Sequence, residues 1–239
     1  MAEAPEIPST FLSNKTGELR PAPLTVRERL DVDTARILIS AIDAVRWGEY
    51  WHAYGVADDV RDQLIAAALG DKQTRKAAWW ELFGNIHHQG TIYEATVPAI
   101  PIIARLAAWR DYPDRVDAIA FLTAVAQSEG VVVWRYDDGQ IVHDEERQAR
   151  LGRELGAETC ELSVSLLNSW RNEPDEVKRA LLLLLAYTPA LQDEYNGMLA
   201  ELLPARFREA WSAIQTGADS QEAFDEIDSF EHWVYGDAD

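Results

Sequence analysis

The sequence predicts an all-α protein whose helical hairpins stack into an α-α superhelix. Three observations support this prediction. Apolar residues recur at helical spacing along most of the chain, proline and glycine separate the helical stretches, and one helical segment is repeated. The 239 residues are enough for one large domain, and 47% of them are hydrophobic, which is usual for a globular protein. We therefore expect helices of roughly 12–20 residues joined by short turns.

The chain divides into three parts. Residues 1–24 hold four prolines and no periodicity, so we expect an extended N-terminal arm. Residues 25–217 are predicted to form the helical-repeat domain, with an insertion at about 130–143. Residues 218–239 are predicted to form an acidic capping helix and tail, because from Glu209 to Asp239 there are nine acids and no Lys or Arg.

A helix–turn–helix corner is predicted within WWELFGNIHHQGTIYEATVPAIP, residues 79–101. Gly90 would end the first helix, and Thr91-x-x-Glu94 has the spacing of a capping box at the start of the second. His87 and His88 then fall in a last helical turn, about 100° apart, which does not suit a shared metal. If this corner binds a partner, we expect His88, Gln89 and Glu94 to make the contacts.

An internal repeat supports the stacked helical pairs. LAAWRDYPDRVDAIAFL, aligned on Trp109, matches the segment around Trp170 at a distance of 61 residues. Removing the 14 residues of 130–143 leaves 47, which is the length of a two-helix repeat unit. Asp114 and Asp175 occupy equivalent turns, where we expect each of them to cap the helix that follows.

These segments resemble a known family. Residues 95–128 are similar to a HEAT repeat, with a proline-interrupted first helix, an acidic turn and a Val-led second helix, and FGNIHHQGTIYEAT resembles a stretch of bacterial HEAT-like proteins. The resemblance extends from Asp33 to about Gly217 and implies a HEAT/armadillo-type α-solenoid. It also implies a binding scaffold, and some similar small bacterial proteins are associated with toxin–immunity systems.

The segment VVVWRYDDGQIV, residues 131–142, is the part of the sequence most typical of a strand. Its central Asp-Gly fits either a short β-hairpin or a loop insertion. The segment is either a solvated loop or a binding loop, and in the second case Trp134, Tyr136, Asp137 and Asp138 are the candidate contacts. On the last predicted helix, Asp225, Glu226 and Asp228 form an acidic strip opposite an apolar face.

The charge limits the classes of partner. The net charge of −19 repels nucleic acid and anionic membrane and favours a basic protein partner. The sequence contains no signal peptide, no apolar run of membrane-spanning length and one cysteine, so we expect a soluble cytoplasmic protein. We predict no catalytic residue, no metal ligand and no cofactor.

The sequence is compatible with three functions. The first is a non-enzymatic α-solenoid that binds a protein through an acidic surface. The second is an immunity or inhibitor protein that neutralises a cationic toxin, for example a nuclease. The third is a HEAT-like nucleic-acid-processing enzyme, which the net charge disfavours. The oligomeric state is not predicted.

Overall fold

The computed structural model describes residues 32–128 and 130–236, and these residues are predominantly α-helical. The prediction of a mainly helical chain is confirmed. The extended arm predicted for residues 1–24 lies outside the described residues, as do the last three residues of the predicted tail.

The described ranges contain ten α-helices and four short 3-10 helices. The α-helices are α1 Val32–Asp43, α2 Val60–Leu69, α3 Lys72–Asn85, α4 Thr96–Ala108, α5 Arg115–Gln127, α6 Glu145–Leu167, α7 Asp175–Ala186, α8 Asn196–Leu202, α9 Arg208–Thr216 and α10 Gln221–Tyr235. The 3-10 helices are Trp47–Glu49, Trp170–Asn172, Pro189–Leu191 and Ala205–Phe207.

Seven short strands form three small sheets in the same ranges. The strands are β1 Trp51–His52, β2 Gly55–Val56, β3 His87–His88, β4 Thr91–Tyr93, β5 Val131–Val132, β6 Trp134–Asp137 and β7 Gln140–His143. The antiparallel pairs are β1–β2, β3–β4 and β6–β7, and β5 adds to β4 in parallel.

The helices pack as consecutive pairs around a continuous apolar core. α2 packs against α3, α4 against α5 and α6 against α7, while α5 and α7 also lie side by side and α10 packs on α7. Phe121 of α5 and Leu184 of α7 are fully buried in this core. The pairing buries the apolar face that each amphipathic helix carries.

Polar side chains set the starts of several helices. Asp71, Asp144 and Ser220 each accept a hydrogen bond from a backbone N–H in the first turn of α3, α6 and α10, at 2.8, 2.9 and 3.2 Å. The caps predicted at Asp114 and Asp175 are wrong. Asp114 makes no such bond to α5, and Asp175 is already the first residue of α7.

Two buried arginines make the same set of contacts in successive helical pairs. Arg75 of α3 and Arg115 of α5 each donate at 2.9 Å to a backbone carbonyl where the preceding helix ends. Arg75 also binds the carboxylate of Asp114 at 2.6 Å, and Arg115 binds that of Glu173 at 2.6 Å. Each arginine therefore ties its own helical pair to the turn of the next pair, which is why Asp114 is not free to cap α5.

Residues 87–93 form a β-hairpin, so the predicted helix–turn–helix corner is wrong. Gln89 and Gly90 have φ of 50° and 80°, and two successive positive φ values give a turn whose twist suits antiparallel strands. Thr91 lies in a strand, and α4 begins five residues later. The capping box predicted for Thr91 and Glu94 therefore does not exist.

Thr96 closes the junction between α3 and α4. Its Oγ1 donates to the carbonyl of Ile86 and accepts a hydrogen bond from the N–H of Tyr93 at 3.1 Å. This buried hydroxyl adds a second hydrogen-bond partner to two backbone groups that also bond each other, since the N–H of Tyr93 donates to the carbonyl of Ile86 at 3.3 Å.

The predicted insertion contains two different elements. Val131–Val132 is β5, which extends the β3–β4 sheet. Trp134–Asp137 and Gln140–His143 form a separate β-hairpin around Asp138 and Gly139, with φ of 47° and 78°. Of the two alternatives that the sequence leaves open, the structure has the β-hairpin.

The last helix meets the core with part of its predicted apolar face. Phe230 and Val234 of α10 are buried, and the Phe230 ring lies 5.3 Å from that of Phe207. Phe224, six residues before Phe230, is 54% exposed. The docked part of α10 is therefore its C-terminal half.

Candidate functional site

Three β-hairpins meet where α3 ends and α4 and α6 begin, and we call them together the hairpin cluster (β1–β2, β3–β4 and β6–β7). The first two are joined through the backbone, because the N–H of Ala95 donates to the carbonyl of Trp51 at 3.0 Å. The third is joined through Trp134, whose indole N–H donates to the carbonyl of His52 at 3.2 Å. Seven of the ten predicted contact residues lie in or next to this cluster.

Glu94 is the buried centre of the hairpin cluster. Its side chain has no exposed surface, and one carboxylate oxygen lies 2.9 Å from a guanidinium nitrogen of Arg135 while the other contacts Arg147. Neither contact has hydrogen-bond geometry, so the attraction is ionic. Because a partner cannot reach Glu94, its role is to hold β6 and the start of α6 against α4.

Aromatic side chains cover one side of this ion cluster. The ring of Trp134 lies 4.9 Å from Trp51 and 5.3 Å from Tyr136, and the Arg135 guanidinium lies 5.7 Å above Trp51. Trp134 is buried, whereas Tyr136 is 59% exposed. The predicted aromatic pair therefore divides into an anchor, Trp134, and an available surface group, Tyr136.

The tip of the β6–β7 hairpin is exposed, acidic and partly apolar. Tyr136 lies directly opposite Ile141, which is 55% exposed. Asp137 and Asp138 are also exposed, and the acid-rich start of α6 follows the hairpin in sequence. A two-stranded hairpin fixed at its base presents an exposed aromatic–aliphatic pair beside two carboxylates.

Buried His52 pairs with the partly exposed carboxylate of Asp59 in the cluster, and no spacing pattern in the sequence predicts this pair. His52 Nδ1 accepts the N–H of Tyr54 at 3.0 Å, so the proton sits on Nε2, which donates to Asp59 at 2.9 Å. Burial raises the pKa of Asp59, but the interactions with His52, the backbone and Gln63 together outweigh burial and hold that pKa below its usual value. Both imidazole nitrogens are engaged, so His52 has no free base for catalysis.

The two adjacent histidines have different surroundings. His87 is half-buried between the rings of Phe83 and Phe121, at 6.2 and 6.3 Å, and this burial lowers its pKa. His88 Nδ1 lies 3.4 Å from the hydroxyl of Tyr54, a side chain 66% exposed. Gln89 is exposed in the turn, so His88 and Gln89 border the surface that Tyr54 occupies.

The three acids predicted on the last helix lie elsewhere. Asp225 and Asp228 are exposed on α10, Glu226 is half-buried there, and Asp225 accepts a hydrogen bond from Gln221 at 2.8 Å. α10 packs against α7 and α9. These acids therefore form a second acidic surface and not an extension of the hairpin cluster.

Two features are absent from residues 32–128 and 130–236: a cluster of metal ligands and a membrane-spanning helix. Within those ranges, the histidines, cysteine and acids do not come together in a group of three that could hold a metal ion. Among the helices described there, none combines the length and apolar character needed to cross a membrane.

Comparison with protein-family models, with curated proteins and with solved structures gives no match. The hairpin cluster offers a buried ionic base, a fixed aromatic anchor and an exposed tip with carboxylates, which together suit recognition of a cationic surface.

Proposed function

We propose that this protein is a non-enzymatic binding protein that recognises a basic protein partner through the tip of the β6–β7 hairpin. The observation that carries the proposal is the exposed pair of Tyr136 and Ile141 on a hairpin fixed at its base by Trp134. Aromatic groups presented on a rigid support lose little conformational entropy on binding, and they are common at protein interfaces.

Charge supports a cationic partner for this tip. Asp137 and Asp138 follow Tyr136 at the exposed end of the hairpin, where they can pair with Lys or Arg while the ring takes a cation–π contact. The whole chain carries −19, which speeds association with a basic protein at low salt.

We further propose that the helical pairs form a HEAT-like α-solenoid. The support is the repeated contact set of Arg75 with Asp114 and of Arg115 with Glu173, which joins each pair to the next. In a solenoid each unit contacts its neighbours, and the stacked surface is used for binding. Small-angle scattering tests this, since a stacked superhelix is more extended than a globular bundle of equal length.

The partner is sought by affinity capture from the native host lysate at low and high salt, read by mass spectrometry. Wild-type protein is expected to capture a basic protein that high salt releases. A Tyr136→Ala, Ile141→Ala variant should lose it, whereas Phe224→Ala, which truncates an exposed ring on α10, should retain it. Equal capture by all three proteins would contradict the proposal.

The contribution of charge is tested separately with matched variants. Asp137→Asn with Asp138→Asn should weaken capture, while Asp193→Asn with Glu201→Gln removes the same charge from other exposed positions and should not. A third variant with Asp225→Asn, Glu226→Gln and Asp228→Asn tests the second acidic surface. Loss of capture in this variant alone would move the interface to α10.

An immunity or inhibitor protein remains the narrower form of this proposal, because paired carboxylates beside an aromatic ring also suit the basic site of a nuclease toxin. It predicts that the captured partner is an enzyme whose activity the protein suppresses. The nucleic-acid-processing alternative predicts a mobility shift of duplex DNA at low salt, and such a shift would oppose both binding proposals.

A further inference from the structure

A cleft of about 310 Å³ lies between α6 and the ends of α5 and α7, away from the tip of the β6–β7 hairpin. Its walls come from β4, β5, the end of α5, α6 and residues 187–190, which follow α7. Among the described residues that line it, none is charged. A volume of this size is at the lower end of the range for small-molecule sites.

Two glycines of α6 form one wall of the cleft. Gly152 and Gly156 are one helical turn apart, and a Cβ added to either would meet no atom within 4 Å. Glycine inside a helix is destabilising relative to alanine. Because no neighbouring atom requires the missing side chains, these glycines are not explained by close packing, and their effect is to leave the cleft open and its wall flat.

A second feature of the cleft is the side-chain hydroxyl of Thr159. This residue is 5% exposed, it lines the cleft one turn after Gly156, and its Oγ1 is buried with no hydrogen-bond partner among the described residues. The hydroxyls of Thr123 and Ser163 show the usual behaviour in a helix, since each donates to the carbonyl four residues earlier. Thr159 does not, and because its Oγ1 has almost no accessible surface, it can pair with a molecule in the cleft only after the side chain rotates.

The other hydroxyls of the cleft already donate within the protein. Ser128 donates to the carbonyl of Val125 at 2.8 Å, and Thr188 donates to that of Leu184 at 2.9 Å. Tyr187 donates to Glu231 at 3.1 Å. Among the described lining residues, the surface is therefore mainly apolar, and the Thr159 hydroxyl is the side-chain hydroxyl that lacks a hydrogen-bond partner.

We propose that this cleft binds a small, neutral aromatic molecule that carries one hydrogen-bonding group, which pairs with the hydroxyl of Thr159. A charged molecule would lose its hydration with no opposite charge among the described lining residues to replace it. A planar ring fits the flat wall of Gly152 and Gly156. This inference does not rest on the proposed protein-binding function.

The test uses 2-naphthol and naphthalene, which share a planar frame and differ by one hydroxyl. Binding to the wild-type chain is measured by titration with 2-naphthol fluorescence and by competition with naphthalene. The single cysteine, Cys160, lies in the cleft, so bound 2-naphthol should slow its alkylation and thereby locate the site. Absence of saturable binding, or binding without protection of Cys160, would overturn the proposal.

Two variants separate the cleft from general effects on folding. Thr159→Val keeps the shape and removes the hydroxyl, so it should weaken 2-naphthol binding by roughly three- to tenfold and leave naphthalene binding unchanged. Gly152→Ala with Gly156→Ala places two methyl groups at the cleft wall, so it should weaken binding of both by about tenfold or more while raising the Tm.

Gly84→Ala is the matched control, because Gly84 also lies in a helix with nothing within 4 Å of an added Cβ, but outside the cleft. It should raise the Tm without changing affinity. A double-alanine variant that binds 2-naphthol as tightly as wild type would refute the site, as would a Thr159→Val variant that loses affinity for both molecules equally.

Discussion

Arg115 and Glu173 are the clearest case of a residue whose role depends on burial. Their side chains are 6% and 2% exposed, and they lie 58 residues apart in sequence. Burying a charge costs free energy unless the charge is paired, so the ion pair offsets the cost of burying Arg115 and Glu173. The pair also joins α5 to the turn before α7.

We expect Arg115→Ala to lower the free energy of unfolding by about 3–5 kcal/mol, because it leaves the Glu173 carboxylate buried without its partner. Urea unfolding measures the change. Arg36→Ala removes an exposed arginine that pairs with Asp33 and should change stability by less than about 0.5 kcal/mol. Equal effects of the two substitutions would show that burial of Arg115 has no energetic consequence.

The same pair predicts a dependence of stability on pH. The hydrogen bond from Arg115 holds the pKa of Glu173 below its usual value. A carboxylate with a lowered folded-state pKa stabilises the fold above the unfolded value of about 4.3 and loses that contribution as the pH falls below it. The stability difference between wild type and Glu173→Gln should therefore shrink on acidification, as followed by urea unfolding at several pH values. A difference that stays constant down to pH 3 would contradict this.

At the scale of elements, the β3–β4 hairpin shows where local sequence patterns fail. The helical spacing of Trp79, Leu82 and Phe83 correctly predicts α3. After α3, Thr91 and Glu94 have the spacing of a capping box, but Gln89 and Gly90 form the two-residue turn of a β-hairpin. The pairing of β4 with β5, about 40 residues later, favours the strand, and no local pattern contains that information.

Two threonine variants distinguish the structure from the capping-box prediction. Thr96→Val should lower the free energy of unfolding by about 1–3 kcal/mol, since it removes the two hydrogen bonds that a buried hydroxyl makes to the backbone of Ile86 and Tyr93. Thr91→Val should have an effect within about 0.5 kcal/mol, because valine suits a strand. Thermal or urea unfolding measures both, and the reverse order would favour a cap at Thr91.

At the scale of the whole molecule, the net charge of −19 acts against compactness. Raising NaCl from 0.01 to 0.1 M shortens the screening length from about 30 to about 10 Å, so the Tm should rise. KCl at the same ionic strength should act equally, since screening does not depend on the cation. A Tm that falls with salt would mean that ion pairs outweigh the repulsion.

The sequence predicts the helical class and offers the hairpin around Asp138 and Gly139 as one of two alternatives, because both follow from patterns over a few residues. It also selects Glu94 and Trp134, but it assigns them to contact with a partner. Their burial depends on neighbours distant in sequence, such as Arg135 and Arg147 for Glu94. Local patterns report residue type and spacing, whereas the difference between anchor and contact is set by tertiary packing.

The two ends of the β6–β7 hairpin are held together, since the N–H of Asp144 donates to the carbonyl of Val133 at 3.1 Å. The strand residues beyond Trp134 are exposed or half-buried, so they add little to the core. The hairpin is therefore a suitable site for the insertion of a foreign peptide. A foreign peptide placed between Asp137 and Gln140 would be displayed with both of its ends fixed, and the helical framework beneath would keep its own sequence.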